Sequence, residues 1–228
     1  MRTIYWAGDS TVQYNSILTF PQTGMGQVMN LFLKPDIRVE NHAKNGRSTK
    51  SFLDESRLAP IYDRMQEGDF LFIQFGHNDE KKQDPARYTE PEGEYIANLE
   101  KFVNAARNKK AFPVLITPLE RRCFKEDGTL GDGEHGPYAE AMKKAAKQWN
   151  VPLIDLCEKS RRELRKAGPE ETKKWYMHVP PNIYPHFMDG LSDDTHLKYE
   201  GAVHYAGCIA EGLKELGGIY GEILVAQE

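Results

Sequence analysis

A basic surplus, a long apolar run and a cysteine framework are all missing from this 228-residue chain, and each absence removes a class of function. Lys and Arg number 30 against 34 Asp and Glu, a formal charge of −4, so there is no cationic excess with which to neutralise a nucleic-acid backbone. No segment carries the roughly 20 consecutive apolar residues that a membrane helix needs. The opening MRTIYWAGDS lacks the apolar stretch of a secretory leader, and the expectation is a cytoplasmic chain without a membrane or nucleic-acid partner. Three cysteines, Cys123, Cys157 and Cys208, are too few and too scattered for a disulfide scaffold or a structural zinc site, and read as reduced packing residues. Internal repeats and low-complexity linkers are absent as well.

What is there describes a globular α/β chain. Apolar residues make up 39% and charged residues 28%, and the length suits one well-filled core, so the expectation is a single domain over residues 1–228. Five short β-rich runs, Thr3 to Ala7, Ile37 to Asn41, Phe70 to Phe75, Val114 to Thr117 and Leu153 to Leu156, alternate with segments of helical period. The helices are expected over Gly26 to Leu33, Ser51 to Met65, Glu94 to Asn108, Tyr138 to Trp149, Glu158 to Ala167 and Glu200 to Leu216. The continuous run FLFIQF suits a parallel strand buried on both faces. Three excursions exceed ordinary connections: Glu80 to Gly93, Glu120 to Pro137 and Trp175 to Leu191. Ligands of such sheets bind beyond the carboxyl ends of the strands, so loops leaving those ends are the place to look for chemistry.

Four segments there carry groups suited to acyl transfer. Ala7-Gly8-Asp9-Ser10-Thr11 puts Ser10 on the turn after the first strand, where it can face a substrate; the same residues also make ordinary turns and caps. Asn41 to Ser48 follows the second strand, and a glycine in that loop leaves a backbone N–H free for an oxyanion, or else only turns the chain before a helix capped by Ser48 or Thr49. Gly76-His77-Asn78-Asp79 ends the most apolar strand with a side-chain amide, either an oxyanion donor or a turn brace. Asp193-Asp194-Thr195-His196 places a carboxylate three residues before a histidine, near enough to set its tautomer. Asp194 is expected to cap the last helix instead.

Together, and in this order, the four segments resemble the four sequence blocks of the SGNH hydrolases, over nearly the whole chain. The first block reads Gly-Asp-Ser-Thr, without the leucine of the GDSL name. With Asn-x-x-x-Gly-Arg-Ser and Gly-His-Asn-Asp following, it looks like the rhamnogalacturonan acetylesterase branch. That resemblance implies a flavodoxin-like three-layer α/β/α sandwich with a five-stranded parallel sheet. It also implies Ser10 as nucleophile, His196 and Asp193 as base and orienting acid, and Ser10 N–H, Gly46 N–H and Asn78 as the oxyanion hole. The implied activity is deacetylation of pectin-type oligosaccharides without metal or organic cofactor; relatives in the branch act on acetylated xylan and other small acyl esters.

Around this set, His77 and Arg47 are candidate substrate contacts, and Arg121 and Arg122 are further cations that can meet an acidic sugar or simply face solvent. His42, His135, His178, His186 and His204 read as ordinary core or surface residues. Trp175, Tyr176, Tyr184 and Phe187 either stack on sugars or pack their own loop. Two other classes were weighed. A metallophosphoesterase has ligand types available in Asp9, His77, Asn78, Asp79, Asp193 and His196, but the residue order suits the esterase better. A carbohydrate-binding module without activity does not need the full reactive set. The sequence carries no signal for the oligomeric state.

Overall fold

The computed structural model describes residues 1–133 and 135–226; Glu134, inside the second excursion, lies outside the described residues. Five strands, β1 (Arg2–Gly8), β2 (Ile37–Asn41), β3 (Phe70–Gln74), β4 (Phe112–Ile116) and β5 (Leu153–Ile154), form one parallel sheet in the order β2-β1-β3-β4-β5. Helices cover both faces, as the sequence pattern predicts. The side-chain alternation of the strands decides which face buries what. Ile4, Trp6, Phe70, Phe72, Val114 and Ile116 pack toward α1 (Met25–Val28), α6 (Leu156–Thr172) and α7 (Tyr199–Leu216). Tyr5, Ala7, Leu71, Ile73 and Leu115 pack toward α2 (Thr49–Asp54), α3 (Leu58–Arg64), α4 (Ile96–Asn108) and α5 (Gly136–Trp149). The stripe Ala202, Tyr205, Ile209 and Leu213 of α7 is fully buried. Each of its large side chains contributes about 1.5–3 kcal/mol by leaving water.

Two helix expectations need correction. The predicted helix Ser51 to Met65 is two helices, because Ser56 adopts a left-handed φ of 55°. There Arg57 N–H bonds Phe52 O and Ser56 N–H bonds Leu53 O, a closure that usually recruits glycine and so left no mark in the sequence. Gly26 to Leu33 is only one α-helical turn followed by a 3-10 turn over Met29–Phe32. The last two helices of the predicted set start and stop near their expected bounds, although α6 continues past a break at Gly168. The third excursion is not a plain loop. It contains β6 (Tyr176–Val179), which pairs antiparallel with β7 (Leu191–Leu197) in a separate ribbon.

Strand order reverses at β1, since the chain crosses to β2 on one side and then returns to β3 on the other. The loops after β1 and β3 therefore diverge and leave a crevice at their carboxyl ends, where Gly8 and Gln74 lie side by side in the sheet register. A Cβ on Gly8 would stand 3.0 Å from Gln74 O, so any larger residue would press on the neighbouring strand just before the Ser10 turn. Among the described residues no helix is long and apolar enough to cross a membrane.

Candidate functional site

Each of the four sequence blocks arrives at the crevice on its own tether. After β1, the Asp9 carboxylate accepts from Thr11 N–H (2.9 Å) and Thr11 Oγ1 (2.8 Å), a tight local turn that presents Ser10. After β2, the backbone keeps following β1: Lys44 N–H donates to Gly8 O at 3.0 Å, and Asn45 N–H donates to the Gln13 side chain. This sets Gly46 beside the Ser10 turn. Its φ of +76° is the reason for glycine, because a Cβ there would meet nothing closer than Arg87 Nη1 at 3.8 Å. After β3, Asp79 ties the third block to the second by accepting from Thr49 N–H and the Thr49 hydroxyl at the start of α2. Ser48 closes that helix with a reciprocal cap, accepting from Ser51 N–H while Ser51 Oγ accepts from Ser48 N–H.

The fourth block depends on an irregularity. Adjacent residues Tyr176 and Met177 of β6 pair with Leu197 and Asp193 of β7, so Asp194, Thr195 and His196 bulge out of the ribbon. Inside the bulge Asp193 Oδ1 accepts from Thr195 N–H (2.7 Å) and His196 N–H (3.0 Å), while Oδ2 lies 2.7 Å from His196 Nδ1. His196 Nε2 lies 3.0 Å from Ser10 Oγ. The Asp-x-x-His spacing thus works through a strand bulge rather than a helical turn. Burial alone would raise the Asp193 carboxyl, but its hydrogen bond and attraction to His196 and the two backbone donors hold it down at about 2. The ribbon is pinned to the crevice by Thr23 N–H on Leu197 O (2.9 Å) and Arg122 N–H on Asp194 O (2.9 Å).

Asp194 does not cap α7, whose N-cap is Lys198. It points the other way, where Oδ1 meets Arg122 Nη1 at 2.8 Å and His178 Nε2 at 2.7 Å. Adjacent residues of an extended segment project to opposite sides, and that decides which aspartate reaches the imidazole.

Ser10, Gly46, Asn78, His77 and His196 line one cleft of about 370 Å³. Among the described residues, neither Ser10 N–H nor Gly46 N–H has an acceptor. Asn78 is oriented from both ends: Nδ2 donates to Arg47 O at 3.1 Å, and Oδ1 accepts from Arg87 Nη1 at 3.2 Å. One amide hydrogen of Asn78 is thereby left over. His77 is buried beside His135, ring centres 4.2 Å apart, with both nitrogens unpartnered. Burial first, and then the neighbouring His135 and Arg121, push its pKa well below the ordinary histidine value, so it sits there as a neutral ring.

The structure does not bring Arg47 to the cleft; its guanidinium is held by Glu55, Nε at 3.0 Å and Nη2 at 2.9 Å. Arg122 is likewise withdrawn onto Thr172, Pro169 and Asp194. Of the nominated cations only Arg121 lines the cleft, joined by Lys81 and Arg87, which the sequence reading passed over. Their only signal was position, in the excursion that leaves β3. Trp175 stacks on His204 and Tyr176 is fully buried, so these two aromatics serve packing. None of the three cysteines is in a disulfide, and burial pushes the thiols of Cys157 and Cys208 up to about 12 and about 11. Among the described residues no three His, Cys, Asp or Glu side chains gather into a group that could hold a metal.

A serine, a histidine and a carboxylate stand in hydrogen-bonded series at the carboxyl edge of a doubly wound sheet, an arrangement suited to acyl transfer. The chain belongs to the GDSL-like lipase/acylhydrolase family, whose model matches residues 7–202. It is 41% identical over 227 residues to the rhamnogalacturonan acetylesterase RhgT of Bacillus subtilis (strain 168), covering 99% of this chain and 95% of that protein. It is 42% identical over 216 residues to the probable rhamnogalacturonan acetylesterase YesY of the same organism, covering 94% and 93%. Among solved structures, the Bacillus subtilis protein YXIM superposes with a TM-score of 0.78 at 26% identity, over 95% of this chain and 57% of that one. The chain therefore spans little more than half the length of that structure.

Proposed function

We propose that residues 1–228 act as one domain, a serine esterase that removes O-acetyl groups from rhamnogalacturonan-type oligosaccharides. The observation that carries this reading is the series Ser10 Oγ, His196 Nε2, His196 Nδ1, Asp193 Oδ2, with links of 3.0 and 2.7 Å, in a cleft shared with Gly46, where the Ser10 and Gly46 N–H groups have no acceptor among the described residues. The substrate class rests on the extent of the likeness to RhgT and YesY, which covers 99% and 94% of this chain and 95% and 93% of those proteins.

In this mechanism His196 Nε2 accepts the Ser10 hydroxyl proton as Oγ attacks the acetyl carbonyl. Negative charge then collects on the former carbonyl oxygen, where Ser10 N–H, Gly46 N–H and the remaining Asn78 amide hydrogen receive it. Asp193 fixes the histidine tautomer and stabilises the imidazolium. That imidazolium next protonates the departing sugar hydroxyl, leaving acetyl-Ser10. Water, deprotonated by His196, cleaves the acyl-enzyme and releases acetate. The sequence of steps calls on no metal or organic cofactor.

The test is acetate release from acetylated rhamnogalacturonan fragments, acetylated xylan and an aryl acetate, by wild type and Ser10→Ala. The first substrate should give the highest kcat/KM, and the variant should keep less than about a thousandth of the activity on each, because without the Ser10 hydroxyl no acyl-enzyme forms. Residual activity above that would point to another nucleophile. A strong preference for xylan would move the substrate class.

A further inference from the structure

Lys81 and Arg121 line the reactive cleft and also a second hollow of about 770 Å³ on its far side, bounded by the excursions after β3 and β4. Lys81 and Arg121 form this shared rim, Arg87 lines the cleft beside them, and both guanidinium groups are already engaged. Arg87 Nε donates to Asp84 Oδ2 at 2.6 Å. Arg121 donates from Nη2 to Glu80 Oε1 at 2.8 Å and from Nη1 to Thr195 Oγ1 at 3.2 Å. Lys81 differs. It is half-buried, yet its ammonium has no hydrogen bond or ion pair with any described residue.

The acids nearby cannot answer it, because they are spent. Glu80 Oε2 lies 2.6 Å from His135 Nδ1 and its other oxygen holds Arg121. Glu90, on the wall of the second hollow, accepts from Tyr88 OH at 2.6 Å. Burial, followed by the repulsion of Arg87 and Arg121, lowers the Lys81 pKa below its ordinary value. Glu80 and Asp84 attract Lys81 from a distance, but both are bonded to guanidinium groups, so an anion arriving beside the three cations still finds an ammonium with no bonded partner among the described residues.

We infer that Lys81 anchors an anion subsite for the carboxylate of an acidic sugar that neighbours the acetylated residue, with the oligosaccharide passing from the cleft over Lys81 into the second hollow. This rests on the carbohydrate reading proposed above and assigns the charge its substrate carries. The hollow has the volume of an ordinary ligand pocket. Lys81 acts on binding rather than on bond cleavage, so it should show in KM.

The experiment compares wild type, Lys81→Met and Lys81→Arg on an acetylated oligosaccharide with free uronic-acid carboxylates, on the same oligosaccharide with those carboxylates methyl-esterified, and on an aryl acetate. Wild type should favour the free acid by about tenfold in kcat/KM, a difference one well-placed charge contact supplies. The preference should arise in KM and shrink as ionic strength rises. Lys81→Met should bring the ratio of acid to ester close to one, and Lys81→Arg should restore most of it. Thermal melting followed by circular dichroism reports that each variant is folded. Equal wild-type rates on acid and ester, or an unchanged ratio in Lys81→Met, overturn the subsite alone. Failure to release acetate from either oligosaccharide, with the aryl ester still cleaved, overturns the carbohydrate reading and the subsite with it.

Discussion

Exchanging Asp193 and Asp194 separately for asparagine should split activity from stability between two adjacent residues. The Asp193 carboxyl is held at about 2 against an ordinary value of 3.8, after its burial cost, chiefly by His196. Nearly two pKa units correspond to about 2–3 kcal/mol of preference for the ionised form in that company. At about 1.4 kcal/mol per tenfold, losing that charge while the imidazolium forms slows the reaction by about a hundredfold. Asparagine can also present its N–H to Nδ1 and select the wrong tautomer, which extends the expected loss toward ten-thousand-fold, as triad precedent allows. Asp194→Asn removes the charged partner of Arg122, a residue 8% exposed, and leaves it on Thr172 Oγ1 and Pro169 O. The cost there is about 1–3 kcal/mol of stability with kcat within about threefold of wild type. The assay is kcat on an aryl acetate well above the histidine titration, with melting followed by circular dichroism. A larger kcat loss at Asp194, or Asp193→Asn close to wild type, would refute the reasoning.

Acyl length should matter steeply, since Ser10, His77, Asn78 and His196 share a cleft of only about 370 Å³; aryl ester turnover should fall from acetate to octanoate, and a profile rising with chain length would point to a lipase or thioesterase preference. Asp79 should make stability pH-dependent in an unusual direction. Its carboxyl is fully buried on the hydroxyls of Thr49 and Thr89 without a cation, and burial raises its pKa to about 7. The folded state therefore holds a proton that the unfolded state releases. The associated stability is complete below about pH 4 and is lost as pH rises through about 7, by up to about 4 kcal/mol. Subtracting the melting profile of Asp79→Asn from that of wild type should leave a difference with that downward slope, and a flat difference between pH 5 and 8.5 would disprove the burial argument.

Much of this protein was legible in one dimension because its signals are local. The five β-rich runs and their helical intervals follow from periodicity, and parallel pairing follows from the continuous apolar runs. The chemistry-bearing positions Ser10, Gly46, Asn78, Asp193 and His196 stand in short blocks, each next to a strand end or a helix start. The boundaries that failed were those without a residue-type signature. Ser56 takes a left-handed turn where glycine would have announced it, and β6 is a four-residue strand that pairs with β7 alone, outside the five-stranded sheet and its alternating pattern.

What only the tertiary structure decided is which neighbours share space. The sequence itself established a doubly wound α/β chain with a serine, a histidine and two candidate aspartates. It could not say that a three-residue bulge opposite Tyr176 and Met177 turns Asp193 toward His196 and Asp194 toward Arg122. Nor could it withdraw Arg47 onto Glu55, bury His77 against His135 or leave Lys81 at the rim without a hydrogen bond or ion pair among the described residues. Those outcomes depend on direction and on long-range pairing, for example between Arg121 and Thr195, which lie 74 residues apart in the chain. Propensity and spacing are properties of a segment, whereas the charge balance of a cleft is set by side chains from four loops that meet only once the sheet has formed.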